Sequence, residues 1–164
     1  MMQKSMTKSL KSRPIYENSE TKAMEERFRR EFEGAFPGLF LRKLPRSYAL
    51  DFAVWEKKSD QVIILLEYKQ RKYSSQQMNQ WGGIKISLNK IKHALEYQKV
   101  FGVPARLIYR LSDNREREYY RFDVNEFNVS QCKIGFMELV SRGDWQDREP
   151  VMMIPMHLFS KKQI

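Results

Sequence analysis

Residues 62–71 read VIILLEYKQR, and the five apolar residues that open this run constrain the fold more than any other stretch of the chain. A strand with one wet face alternates apolar and polar residues, whereas an unbroken apolar run fits a central strand covered on both faces by further layers. The run ends in Glu67 and Lys69, two positions apart. Side chains two apart on a strand share a face, so this carboxylate and this ammonium project together. Burying charge without a partner costs several kcal/mol, so a purely structural strand has no need of them.

The flanking sequence supplies the covering layers. Ser19 to Phe36 (SETKAMEERFRREFEGAF) predicts an amphipathic helix capped by Ser19 or Thr21 and ended by the stretch from Gly34 to Pro37. Met24, Phe28, Phe32 and Ala35 form its buried stripe. At about 100° per residue, Glu25 and Glu31 flank that stripe, while Glu26 and Glu33 point away. Leu39 to Leu44 predicts a short strand and Tyr48 to Trp55 a second, apolar except for Asp51; the segment EKKSD then turns the chain into a third strand, Gln61 to Gln70. Arg71 to Gly83 is polar, rich in Gln and Ser, and reads as a loop. Ser87 to Phe101 predicts a second helix with Leu88, Ile91 and Leu95 inward, stopped by Gly102 and Pro104, and Ala105 to Leu111 a further strand. Glu118 to Val124, Lys133 to Val140 and Val151 to Leu158 read as extra C-terminal strands around the polar turn SRGDWQDREP. This order indicates an α/β protein with a mixed central sheet flanked by helices. Residues 1–18 read as a flexible basic arm and 19–164 as a single domain, with its core at 19–111 and a C-terminal elaboration at 112–164.

A chain of 164 residues with 41% hydrophobic residues can bury a real core. Its 30 Lys and Arg against 20 Asp and Glu leave a net charge of +10, which favours a polyanionic partner such as nucleic acid, although a basic balance also suits solubility alone. The single cysteine, Cys132, excludes an intrachain disulfide and makes the cytoplasm the natural setting. No apolar run approaches the roughly 18 residues of a membrane span. His93, Cys132 and His157 are too scattered for a zinc site of the N/S type, so any metal is held by oxygen, which points to Mg2+ or Mn2+.

The pattern acid, any residue, lysine occurs at Glu20, Glu56 and Glu67, but the first lies at a helix start and the second in a turn, where solvated charge is ordinary. Asp51 in the preceding strand can lie beside Glu67 across an antiparallel hairpin. Two close carboxylates repel unless a cation sits between them, so the pair implies a bound divalent ion able to polarise a phosphoryl oxygen. Lys69 beside them can orient a water or stabilise charge developing on phosphorus. The plainer alternative is a salt bridge at the sheet end.

A helix bearing Glu, a strand bearing Asp, an apolar strand ending Glu-x-Lys, then helix and strand together resemble the PD-(D/E)xK (restriction-endonuclease-like) nuclease superfamily over about Ser19 to Leu111. Within it, VIILLEYKQRK is similar to the corresponding strand of archaeal-type Holliday-junction resolvases, and the Gln-rich loop, helix and GVPARLIYR are similar to virus-type replication-repair nucleases. The resemblance implies an αβββαβ core, metal ligands at Asp51 and Glu67, water positioning by Lys69, and a contribution from Glu25 on the first helix, with Glu31 in reserve. Leu50 stands where the family carries Pro, and the residues after Leu111 match no motif.

The expected activity is divalent-metal-dependent hydrolysis of phosphodiester bonds in DNA, structure-specific in the manner of a Holliday-junction resolvase; the alternative is a catalytically silent nucleic-acid-binding module of the same fold. A resolvase would act as a homodimer, because a four-way junction offers two related phosphates. Gln70 and Arg71 follow Lys69 directly and are placed to meet a phosphate, Tyr73 and Trp81 to stack on a base or pack their loop, and Lys85 and Lys90 to contact the backbone beside a basic helix that also carries Lys92 and Lys99. His93 has no partner at ligand spacing. Met152, Met153 and Met156 read as core or interface filling.

Overall fold

The computed structural model describes residues 18–137 and 149–164. Helix α1 spans Ser19–Ala35, and its cap is Asn18 rather than Ser19 or Thr21: the Asn18 side chain accepts from Thr21 N at 2.8 Å, satisfying an amide that has no partner within the helix. Phe28 is its buried anchor, stacked on Tyr68 with ring centroids 4.3 Å apart, while Met24 and Phe32 pack at the margin.

Strands β1 (Leu39–Lys43), β2 (Phe52–Glu56) and β3 (Gln61–Gln70) form an antiparallel meander. After β3 come α2 (Ser75–Gln80), β4 (Ile84–Ser87), α3 (Leu88–Phe101) and β5 (Ala105–Arg110), and β5 pairs parallel to β3, as a crossover connection allows. β6 (Glu118–Val124), α4 (Glu126–Ser130), β7 (Lys133–Met137), β8 (Glu149–Ile154) and β9 (Ser160–Gln163) complete the described chain. The main sheet has the order β1-β2-β3-β5-β6-β9, and β4-β8-β7 form a second sheet. One core lies between α1 and the main sheet around Phe28, Phe52, Leu66 and Tyr68; the other, on the opposite face, joins Ile91 and Ala94 of α3 to Leu65, Leu107 and Tyr109 and to the small sheet through Ile84 and Ile154. β3 is therefore covered on both faces, as its apolar run requires, and Leu65 to Tyr68 are all buried.

Three expected elements differ. The strand expected from Tyr48 begins only at Phe52: Arg46–Tyr48 form a short 3-10 turn and Ala49 takes a left-handed φ of 61°. The carbonyls of Tyr48 and Ala49 are satisfied by side chains of α3, through Tyr97 Oη at 3.2 Å and Lys90 Nζ at 2.8 Å, instead of by a neighbouring strand. The expected loop from Arg71 to Gly83 contains α2, held by a capping box between Ser74 and Gln77, and is followed by β4, whose alternation of buried Ile84 and Ile86 with exposed Lys85 is too short to register in the sequence. The strand expected over Val151 to Leu158 stops at Ile154; Pro155 leads a 3-10 turn, and β9 then returns to the main sheet beside β6. The last three residues of the strand expected over Lys133 to Val140, most of the turn after it, and the N-terminal arm but for Asn18 lie outside the described residues.

Candidate active site

The antiparallel register pairs Phe52 with Leu66, so the chain just before β2 runs alongside Glu67. Asp51 N donates to Leu66 O at 3.0 Å, and Tyr68 N donates to Asp51 Oδ2 at 2.9 Å. The Asp51 carboxylate thus takes the place of a backbone carbonyl in the ladder, which fixes its position at the end of the sheet. On β3, Leu65, Glu67 and Lys69 alternate with Leu66 and Tyr68. The first set faces α3, and the second packs under α1.

Glu67 has no solvent exposure and is the one buried charged residue among those described. Lys69 Nζ lies 2.9 Å from Glu67 Oε1 and 3.6 Å from Asp51 Oδ2. A second ammonium reaches the same carboxylate: Lys90 Nζ, from α3, lies 2.8 Å from Oε1 and 2.9 Å from Oε2 while also donating to Ala49 O. Oε1 sits at ion-pair distance from both lysines and receives a well-directed hydrogen bond from neither. Burial pushes the Glu67 carboxyl above the ordinary carboxylate range, with Lys69 and Lys90 pulling the other way and Asp51 adding to the rise. For Lys69, burial works to lower the ammonium, but Glu67 and Asp51 outweigh it and hold it above its usual value.

Glu25 reaches this cluster through an intermediary. Lys43, the last residue of β1, is 2.7 Å from Glu25 Oε2 and 3.7 Å from Asp51 Oδ1, with its ammonium 5.0 Å from the centroid of the Phe52 ring. Asp51, Glu67 and Lys69 are brought directly together, and Glu25 is joined to them by a lysine that the sequence reading did not single out. Lys43 pairs with Phe52 across the β1–β2 register, next to Asp51, a pairing that the sequence alone does not fix. Glu31 lies apart, bonded to Arg27 and to the Tyr119 hydroxyl.

Lys90, expected to contact the nucleic-acid backbone from the N-terminal end of its helix, has its ammonium engaged by Glu67 and Ala49, because the face of α3 that it shares with buried Ile91 and Ala94 turns toward β3. Lys85 is not on the helix but on β4, exposed and opposite Met153. Gln70 and Arg71 line an open groove with Lys72 and Arg110 at the C-terminal ends of β3 and β5, walled on the other side by the start of α1. Tyr73 and Trp81 meet edge to face with centroids 4.8 Å apart, and both stay about half exposed. His93 lies 3.5 Å from Glu96 and near the Tyr97 ring.

No group of three or more His, Cys, Asp or Glu converges on one point among the described residues. The oxygen donors of Asp51 and Glu67 nevertheless fit a small hard cation, which is commonly held by one or two carboxylates and completed by water and substrate phosphate. The buried Glu67 Oε1, without a directed hydrogen bond, is an acceptor of the kind such an ion uses.

The family described as "Phage putative PDDEXK endonuclease" matches residues 11–162 of this chain. Among solved structures, a Holliday junction resolvase from the archaeal hyperthermophile Archaeoglobus fulgidus is similar, with a TM-score of 0.52 and 13% sequence identity, covering 89% of this chain and 93% of that one. At that identity the likeness shows a shared fold. No curated protein sequence matches the chain.

Proposed function

Because the chain belongs to the phage PDDEXK endonuclease family, we propose that Asp51, Glu67 and Lys69 form the centre of a divalent-metal-dependent endonuclease acting on DNA, and that its preferred substrates are branched. The observation that carries this reading is a wholly buried Glu67 held beside Asp51 and Lys69 at the end of the sheet. Charge is placed there at a desolvation cost that a structural salt bridge rarely recovers.

Asp51 and Glu67 would hold Mg2+ or Mn2+. Such an ion, when bound, polarises the phosphoryl oxygen and lowers the pKa of a water. Asp51 is oriented by the Tyr68 amide, and Glu67 is kept from bulk water on the face of β3 that α3 covers. The Lys69 side chain is about one third exposed, so its ammonium reaches solvent from beside Glu67 and can donate to an attacking water or to a phosphate oxygen. Glu25 acts through Lys43, whose position between Glu25 and Asp51 orients the aspartate. The groove bearing Gln70 and Arg71 begins where β3 ends and is the path we assign to the DNA backbone, with exposed Lys85, Tyr73 and Trp81 as further candidate contacts.

A labelled panel of four-way junction, flap, linear duplex, single strand and RNA, incubated with Mg2+ or Mn2+, tests this assignment. Wild type is expected to cleave at least one DNA member, with Lys69→Ala slower by about 10²–10³-fold and binding retained. Full activity in Lys69→Ala would sink the assignment. Salt-sensitive binding without turnover in either metal would point to the silent binding module.

A further inference from the structure

We propose that Lys90 is a built-in competitor of the divalent ion: it neutralises Glu67 in the metal-free protein, and this makes metal binding depend on the arrival of DNA. The inference rests on the metal-dependent reading of Asp51 and Glu67 and extends it to a positioning residue outside the Glu-x-Lys pattern.

Among the described residues the cluster is already neutral. The carboxylates of Glu25, Asp51 and Glu67 are matched by the ammonium groups of Lys43, Lys69 and Lys90, all connected by contacts of 3.7 Å or less. An ion placed on Asp51 and Glu67 would leave two uncompensated positive charges around a wholly buried carboxylate, unless a lysine withdraws or a polyanion enters. Among the described residues Lys69 is paired only with the two carboxylates that would hold the ion. Lys90 differs: beyond Glu67 it holds a second acceptor, Ala49 O at 2.8 Å, on a segment whose left-handed Ala49 precedes Asp51 by two residues. Its ammonium can lose its hold on Glu67 and stay bonded to that carbonyl. DNA phosphate supplies the missing negative charge, so metal and DNA should each tighten the other's binding by the same factor.

The test is Mn2+ binding followed by electron paramagnetic resonance and calorimetry on the full chain at pH 8.5, with and without an uncleavable phosphorothioate duplex. Wild type is expected to bind Mn2+ weakly alone and at least tenfold more tightly with DNA. Lys90→Gln should bind DNA-free Mn2+ at least tenfold more tightly than wild type and show a smaller gain on adding DNA, whereas Lys90→Arg, which keeps the charge, should resemble wild type. Lys90→Met repeats the measurement without a hydrogen-bonding group, and circular dichroism checks that each variant is folded. If Asp51→Asn abolishes Mn2+ binding but Lys90→Gln and Lys90→Met bind no tighter than wild type, the competitor role is wrong while the two-carboxylate site stands. If Asp51→Asn leaves Mn2+ binding unchanged, both readings fall.

Discussion

At the scale of single residues, charge is tolerated inside this protein only where several partners share it. Glu31, with its side chain 12% exposed, accepts from Arg27 Nε at 2.9 Å and from the Tyr119 hydroxyl, with Arg110 Nη1 at 3.5 Å. Burial works to raise its carboxyl, but the Tyr119 hydroxyl and the two guanidinium groups outweigh that effect and hold it below its ordinary value of 4.5. A carboxyl depressed by folding stabilises the native state fully above its unfolded value, and this contribution is lost as pH falls through the folded value. Urea unfolding from pH 6 to pH 3 should therefore show stability falling more steeply below about pH 4.5 in wild type than in Glu31→Gln. Equal slopes would show that the tie between α1 and β6 carries no net energy. Both Glu25 and Glu31 were legible at the edge of the apolar stripe of α1, but the helix alone does not say which faces the sheet end. Strand β6, distant in sequence, claims Glu31 through Tyr119 and leaves Glu25 to Lys43.

At the scale of elements, the small sheet is closed by a tight backbone contact between the entry to β4 and its neighbour β8. Gly83, with φ +118°, precedes β4 and passes so close to β8 that a Cβ there would lie 2.0 Å from the Ile154 carbonyl oxygen. A side chain needs both a backbone region that L residues avoid and a displacement of β8. Gly83→Ala should therefore cost about 3 kcal/mol, read as a lower urea midpoint with an unchanged slope; a loss below about 0.5 kcal/mol would mean that the small sheet shifts freely. Periodicity found α1, β3, α3, β5 and β6 to within a residue or two, because each buries a long stripe or run. It missed β4 and α2, and also α4 and β9. In β4 and α2, four residues of alternation and six of helix carry too little pattern, and what holds them is a pairing with β8 and a capping box.

At the scale of the whole molecule, the net charge of +10 sets the electrostatic term of DNA binding. With roughly four phosphates neutralised along the groove, affinity for a duplex should fall by about 10²-fold between roughly 50 and 200 mM salt. Fluorescence anisotropy at several salt concentrations gives the slope, and a flat profile would exclude a backbone-dominated interface. Among the described residues no helix is long and apolar enough to cross a membrane. What the sequence determined by itself was the order of the core elements and the convergence of Asp51, Glu67 and Lys69, because a both-faces-buried strand and a short hairpin leave their charged ends little choice of neighbour. Only the tertiary structure decided that Lys43 bridges Glu25 to Asp51, that Lys90 turns inward onto Glu67, and that the C-terminal chain divides between two sheets. Those outcomes depend on which faces of separate helices and strands meet, and that is set by packing between segments far apart in the chain.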